Sequence, residues 1–197
     1  MGRIRKALLT ALIVGVGGFA VGATTFSAFS ASTSNANNAF SAGTVVMTDN
    51  DGGSTALVSL SGARPGDSSS GCIKATYTGT LDSSVKLYAA LTGTLAPYLT
   101  LKVTRGTQTT GTFPACGNFA ADATDYNGNG AGVIYQGLLS AYPADYAGGI
   151  LDPKTATPET WTTNEDHVYR FEVTLADNNA AQGLTGGATF HWEARNL

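Results

Sequence analysis

Apolar and polar residues alternate along much of this chain, in short runs that turn residues separate. Between residues 188 and 194 the apolar Phe190 and Trp192 alternate with the polar His191 and Glu193. A period of two places the apolar side chains on one face of an extended segment, as in a half-buried β-strand. Similar apolar runs predict strands at residues 44–48, 56–60, 73–77, 85–91, 98–103, 132–135, 167–175 and 188–194.

Turn signals lie between the predicted strands. The sequences D-G-G at 51–53 and R-P-G-D at 64–67 are two of them, because Gly and Pro favour tight turns. Residues 113–164 are looser, with Gly, Asn, Ala, Pro and Asp dominating, and only residues 138–147 leave room for a short helix. The pattern predicts an all-β protein, an antiparallel β-sandwich of two sheets with a loop-rich insertion at about 113–164.

An apolar segment precedes the predicted strands. Basic residues within the first six positions are followed by an almost wholly apolar run at 7–23 and then by small residues. This order is that of a secretory signal peptide, cleaved either between Ser27 and Ala28 or before Thr24. A retained anchor is the alternative, since about 17 apolar residues lie near the lower limit for spanning a bilayer.

Removal of the signal peptide changes the charge balance. The full chain has 11 Lys and Arg against 14 Asp and Glu, a formal net charge of −3. Arg3, Arg5 and Lys6 leave with the signal, so eight basic residues remain and the exported chain carries −6. The remaining basic residues are scattered, which excludes the basic patch of a nucleic-acid-binding protein. The scatter also excludes the cluster that an anionic membrane surface attracts.

The chain has two cysteines, Cys72 and Cys116, both in the exported part. In an oxidising compartment two such thiols are expected to form a disulfide. Closing a loop of this length stabilises a fold by roughly 4 kcal/mol in the chain-entropy model. A metal or redox site needs closer spacing or further ligands, which the sequence does not show.

Residues that carry catalysis are scarce. The two histidines, His167 and His191, each lie in a predicted strand, and no H-E-x-x-H or G-x-S-x-G motif occurs. With Asp166 and Glu193, these histidines form a metal site only if their strands are neighbours. Outward-facing polar residues on strands are the favoured interpretation, so the sequence predicts neither an enzyme nor a bound cofactor.

One stretch matches the beginning of a calcium-binding loop. Asp125, Asn127 and Asn129 stand at positions 1, 3 and 5 of D-x-N-x-N-G, and Gln136 stands at position 12. In a calcium loop the oxygens at positions 1, 3 and 5 converge on the ion, and the twelfth residue is a bidentate Glu. Because Gln136 is neutral, Asp125 is the only charged ligand, and an Asn/Gly turn is the favoured interpretation.

The order of several short motifs resembles the TasA/camelysin family of secreted bacterial proteins. T-x-x-A-F-S at 25–30 closes the export segment, and N-A-F-S-A-G-T-V follows at 38–45. L-S-G-A-R-P-G-D at 60–67 is similar to the family's L-x-x-L-K-P-G-D turn, and A-T-F-H-W-E-A at 188–194 fits its last strand. The resemblance covers both ends of the chain and little of the middle.

This resemblance implies a jelly-roll-like β-sandwich at residues 44–197 and export, with cleavage after residue 27 by a SipW-type signal peptidase. It also implies polymerisation into extracellular fibres of a biofilm matrix. Segment 28–43 would be a donor strand for the next subunit, whereas its composition alone favours a spacer. The donor residues are Ala28, Phe29, Ser30, Asn38, Phe40, Ala42 and Gly43. The expected partner is another copy of the chain, joined head to tail, with other matrix components as further candidates.

Two other functions stay open. Camelysin is described as a metalloendopeptidase, and a surface protease of that kind would use His167, His191 and nearby carboxylates, although no zinc motif matches. A monomeric adhesion or glycan-binding module would use the Tyr- and Asn-rich residues 126–146.

Overall fold

A computed structural model describes residues 42–52, 56–153 and 159–197. Its strands are β1 Met47–Asp49, β2 Ser68–Tyr77, β3 Ser83–Gly93, β4 Leu99–Gln108, β5 Phe119–Ala121, β6 Val133–Leu138, β7 Ile150–Asp152, β8 Glu165–Leu175 and β9 Gly186–Asn196. Helical structure within the described ranges consists of three 3₁₀ turns, at Ala96–Tyr98, Leu139–Ala141 and Asn179–Ala181. None of these helical elements is long and apolar enough to cross a membrane.

The predicted N-terminal features fall outside the described residues. These are the signal peptide at 1–27, its cleavage site between Ser27 and Ala28, and segment 28–41 with Phe29, Ser30, Asn38 and Phe40. Ala42 and Gly43, the last two residues of the proposed donor, are described and exposed.

Two antiparallel sheets form the described domain. The large sheet has the order β1-β2-β8-β4-β5, and β6 pairs with β4 beside β5. The small sheet has the order β7-β3-β9. The longest ladders join β2 to β8, β4 to β8 and β3 to β9. The predicted fold class, a jelly-roll-like antiparallel β-sandwich, is therefore confirmed.

The core lies between the two sheets and follows the alternation of the sequence. Tyr77, Tyr169 and Phe171 of the large sheet are fully buried, as are Val85 and Leu87 of the small sheet. On β9, Phe190 and Trp192 pack against this core, and both rings contact the Phe171 ring at centroid distances of 4.5 and 5.8 Å. His191 and Glu193 lie on the opposite face and contact Tyr88. The predicted assignment of faces on this strand is confirmed.

The structure corrects four details of the predicted elements. The first strand begins at Met47 rather than Thr44, and residues 56–60 form no strand. Strands β5 and β7 were not predicted. The expected short helix at 138–147 is the three-residue turn Leu139–Ala141, followed by an extended Tyr142. Pro143 explains this end, because a residue that precedes proline is disfavoured in the helical conformation.

A disulfide joins Cys72 on β2 to Cys116 in the connection between β4 and β5, with the two Cα atoms 5.1 Å apart. The Cys72 N–H also donates to the Pro114 carbonyl at 2.9 Å. The predicted pairing is thereby confirmed. The disulfide ties the connection between β4 and β5 to β2, which β8 separates from β4 in the sheet. A structural disulfide is typical of proteins that fold in an oxidising compartment.

Candidate functional site

A buried ion cluster closes one side of the sandwich. Arg105 on β4 of the large sheet is 5% exposed, and its Nε lies 3.4 Å from Oδ1 of Asp152 on β7 of the small sheet. The guanidinium also contacts Asp122 at 3.0 Å and Glu159 at 2.6 Å. The Tyr169 hydroxyl donates to Oδ2 of Asp152 at 2.7 Å. This Arg105 cluster joins the two sheets at the β7 side.

The electrostatics of the Arg105 cluster follow from its burial. Burial alone would lower the pKa of Arg105, but Asp152 and the other acidic groups hold it above its usual range. Burial raises the pKa of Asp152 to about 6, although Arg105 and the Tyr169 hydrogen bond act in the opposite direction. Arg105 stays charged at every physiological pH, so the cluster ties the two sheets by an ion pair wherever Asp152 is ionised.

Three side chains beside this cluster have a metal-like arrangement. Glu159, Glu165 and His167 each offer one ligand atom, and these atoms lie within 4.8 Å of one another. However, Nη2 of Arg105 lies 2.6 Å from a Glu159 oxygen and 2.7 Å from Nε2 of His167. The guanidinium therefore already supplies the positive charge that a metal ion would bring.

The structure does not bring the two histidines together. His167 lies on β8 of the large sheet, where its ring contacts Trp161 at a centroid distance of 4.6 Å. His191 lies on β9 of the small sheet and stacks on Tyr88 at 4.9 Å. Because β8 and β9 belong to different sheets, the condition for a shared site of His167 and His191 is not met.

The calcium-like stretch uses its oxygens within its own turn. Oδ1 of Asp125 accepts the backbone N–H groups of Asn127 at 3.3 Å and Gly128 at 2.8 Å. Oδ1 of Asn127 accepts from the backbone N–H and the side-chain amide of Asn129. Gln136 lies on β6, in register with Lys102. These hydrogen bonds are those of an Asx turn, which supports the turn interpretation.

Of the four tyrosines within residues 126–146, one is buried and three are half-buried. Tyr126 donates to Asp122 at 2.9 Å, and Tyr142 is 4% exposed. The Tyr146 ring lies 3.7 Å from the Arg195 guanidinium and 4.9 Å from Nζ of Lys86. None of the four tyrosines is fully exposed, and Tyr126 and Tyr146 already contact other side chains.

Within the part of the chain that the structure describes, the other side of the sandwich carries an unpaired strand edge. Among the described strands, β9 pairs only with β3. Ala89 of β3 donates its N–H to Pro143, away from β9, and Ala89 is in register with Phe190. In an antiparallel ladder residues alternate between hydrogen-bonded and non-hydrogen-bonded pairs. The N–H groups that point away from β3, along what we call the β9 edge, are therefore those of Ala188, Phe190, Trp192 and Ala194.

Hollow spaces follow this edge, and the first of the two is mostly apolar. One of about 170 Å³ lies between residues 56–60 and Gly186, Ala188 and Phe190. Another of about 170 Å³ lies between β1 and residues 190–192. Together we call them the β9 groove. Exposed strand edges are normally covered, because unpaired N–H and C=O groups readily pair with another chain. A free edge beside an apolar groove is thus suited to accept an added strand.

The chain enters the domain at the opposite end of β9. The Thr44 carbonyl accepts the N–H groups of Thr80 at 2.8 Å and Leu81 at 3.3 Å, and Leu197 donates to Asp82 at 3.1 Å. From Asn196 near this entry end to Gly186 at the groove, β9 spans roughly 33 Å. Exposed apolar residues gather at the entry end, with Val45 38%, Val46 42%, Leu81 38% and Leu197 67% exposed.

Sequence reasoning identified β9 as a strand but missed its free edge. The alternation of residues 188–194 is the same for an edge strand and an interior strand of a half-buried sheet. Which strands become neighbours depends on contacts between distant parts of the chain.

Comparison with known proteins gives no family. No family model matches the chain, and no curated protein matches it. The resemblance to the TasA/camelysin family therefore stays a prediction that rests on the quoted motifs.

Proposed function

We propose that the protein is an exported structural subunit that polymerises into extracellular filaments, in which residues 28–43 of one copy pair with the β9 edge of the next. The observation that carries the proposal is the β9 edge, which no described strand other than β3 pairs with, together with the groove beside it. A peptide strand added to such an edge gains main-chain hydrogen bonds, and its apolar side chains fill the groove.

The attachment point of the donor segment and the β9 groove lie at opposite ends of β9, which supports a head-to-tail arrangement of copies. The donor segment joins the domain at Ala42 and Gly43, next to Leu81, whereas the groove begins at the far end of β9. A contact between two different surfaces repeats without closing on itself unless a ring forms, so it produces filaments. The exposed Val45, Val46 and Leu81 would be covered as the next copy approaches this end.

The donor segment has the composition that strand addition requires. Residues 28–41 carry no charge and consist mainly of Ala, Ser, Thr and Asn, with Phe29 and Phe40 as the large apolar residues. Extended, this segment reaches roughly 46 Å, which exceeds the length of β9. The uncharged composition and the length of the segment both suit main-chain pairing along β9, with Phe29 and Phe40 as anchors near the two ends of the segment.

Electron microscopy of the chain that begins at Ala28 tests this proposal. Deletion of residues 28–40 should abolish filaments and leave the domain folded. Ala188→Pro should do the same, because proline removes an outward N–H of the β9 edge and none of the β3–β9 hydrogen bonds.

Leu151→Pro is the matched control. Leu151 lies on β7 and is in register with Lys86 of β3, and its N–H points away from β3 at the other edge of the small sheet. This variant should still form filaments. Filaments of normal yield from the deletion variant or from Ala188→Pro would refute the proposal.

A second candidate function is not favoured by the geometry. The proposed protease would need His167 and His191 in one site, and the glycan-binding module would need exposed tyrosines. The described residues provide neither arrangement.

A further inference from the structure

Residues 56–60 have the sequence of a strand but do not form one. Ala-Leu-Val-Ser-Leu is a short, mostly apolar run of the kind that predicts a strand, yet this segment pairs with no strand of the described domain. Leu57, Val58 and Leu60 pack against the hydrophobic core. The segment's hydrogen bond to the rest of the described domain is from the Ser59 N–H to Oγ of Ser69 at 3.3 Å. Side-chain packing, rather than backbone pairing, therefore holds it in place.

The position of this segment is set by a glycine. Gly71 lies on the inward-facing side of β2, and a Cβ atom there would collide with the Leu57 carbonyl oxygen. The segment thus sits between the sheets, opposite the part of β9 that includes Gly186 and Ala188. Gly52 and Gly62, on either side of it, both have a positive φ and open space around them, so both allow a change of chain direction.

The remaining space is too small for a strand. The hollow between residues 56–60 and β9 measures about 170 Å³, and a cavity of about 150 Å³ holds a single benzene molecule. One aromatic side chain fits there, whereas the backbone of several residues does not. A second space of about 320 Å³ shares Leu60, Leu95 and Leu99 with the first, so movement of Leu60 would join the two.

We infer that residues 56–60 are a plug, which occupies part of the β9 groove in the monomer and must leave Gly71 before the strand of another copy can enter. The inference rests on the proposed function, because the occupant it admits is segment 28–43 of a second copy. A binding site that is open for only a fraction of the time has an apparent affinity reduced by that fraction. The plug thereby keeps free subunits from assembling early.

Binding of a fluorescent peptide of residues 28–43 to the chain that begins at Ala28 tests the plug, at concentrations too low for filaments. Gly71→Ala should expel the plug and raise the rate of peptide binding on the order of tenfold. It should also speed amide exchange at residues 57–60. The matched control is Gly106→Ala. A Cβ at Gly106 would collide in the same way with the Ala120 carbonyl of β5, which lies away from the β9 edge in the large sheet. It should leave the binding rate unchanged.

Leu57→Ser provides a second variant if Gly71→Ala fails to fold, with Leu151→Ser on β7 as its control. Equal binding rates for wild type and a folded plug variant would overturn the plug and leave the proposed function standing. No peptide binding to any of these proteins would overturn both.

Discussion

Replacement of Arg105 by methionine should strongly destabilise the domain without involving the β9 edge. The substitution keeps the length of the aliphatic stem and removes the charge that Asp152, Asp122 and Glu159 share. The three carboxylates respond differently. The side chains of Asp122 and Glu159 are 22% and 36% exposed and can be hydrated, whereas that of Asp152 is fully buried.

The size of the destabilisation follows from the buried Asp152 carboxylate, which Arg105→Met leaves without its cationic partner. Removing one partner of a buried ion pair typically costs about 3–5 kcal/mol, because the other charge stays buried without compensation. With a urea m-value of about 2 kcal/mol/M, the unfolding midpoint should fall by about 2 M. The double variant Arg105→Met/Asp152→Asn should recover much of the loss, since asparagine can still accept the Tyr169 hydrogen bond and carries no charge.

Urea unfolding followed by tryptophan fluorescence at neutral pH measures both variants. Trp161 and Trp192 lie at opposite sides of the sandwich, so their fluorescence reports the unfolding of the whole domain. A loss below about 1 kcal/mol for Arg105→Met would refute the reasoning, since that is the range of an exposed ion pair. A double variant no more stable than the single one would also refute it.

Three further predictions concern the same domain. Cys72→Ala should lower the free energy of unfolding by about 4 kcal/mol in denaturant titrations, and an unchanged midpoint would contradict this. The pKa of Asp152 rises from 3.8 to about 6 on folding. Between these two pH values the folded protein binds more protons than the unfolded chain. The free energy of unfolding should therefore fall by up to about 3 kcal/mol from pH 4 to 6. Asp152→Asn should abolish that fall. Millimolar calcium should leave the melting temperature unchanged, and stabilisation lost in Asp125→Asn would contradict the turn interpretation.

The strand positions could largely be predicted from local patterns. The alternation of apolar and polar residues in 167–175 and 188–194 identifies β8 and β9, because each strand buries one face. The disulfide was predictable because only Cys72 and Cys116 were present to pair. Residues 56–60 show the limit of this approach, since a strand pattern is fulfilled only where a partner strand is available.

The Arg105 cluster and the β9 edge were beyond sequence reasoning. Arg105, Asp122, Asp152 and Glu159 come from separate segments, and no spacing connects them. Their meeting depends on how β4 and β7 pack across the sandwich. The free edge likewise depends on β9 being the last described strand of the small sheet, which the residues of β9 do not reveal.

Residue-resolved amide exchange in the monomer and in the filament tests the central claim most directly. In the monomer, the amides of Thr189 and His191 bond to β3 and should exchange slowly, whereas those of Ala188, Phe190 and Trp192 face the free edge and should exchange faster. In filaments the edge amides should become as slow as their neighbours, because the donor strand pairs with them. Filaments in which the edge amides exchange as fast as in the monomer would contradict the account.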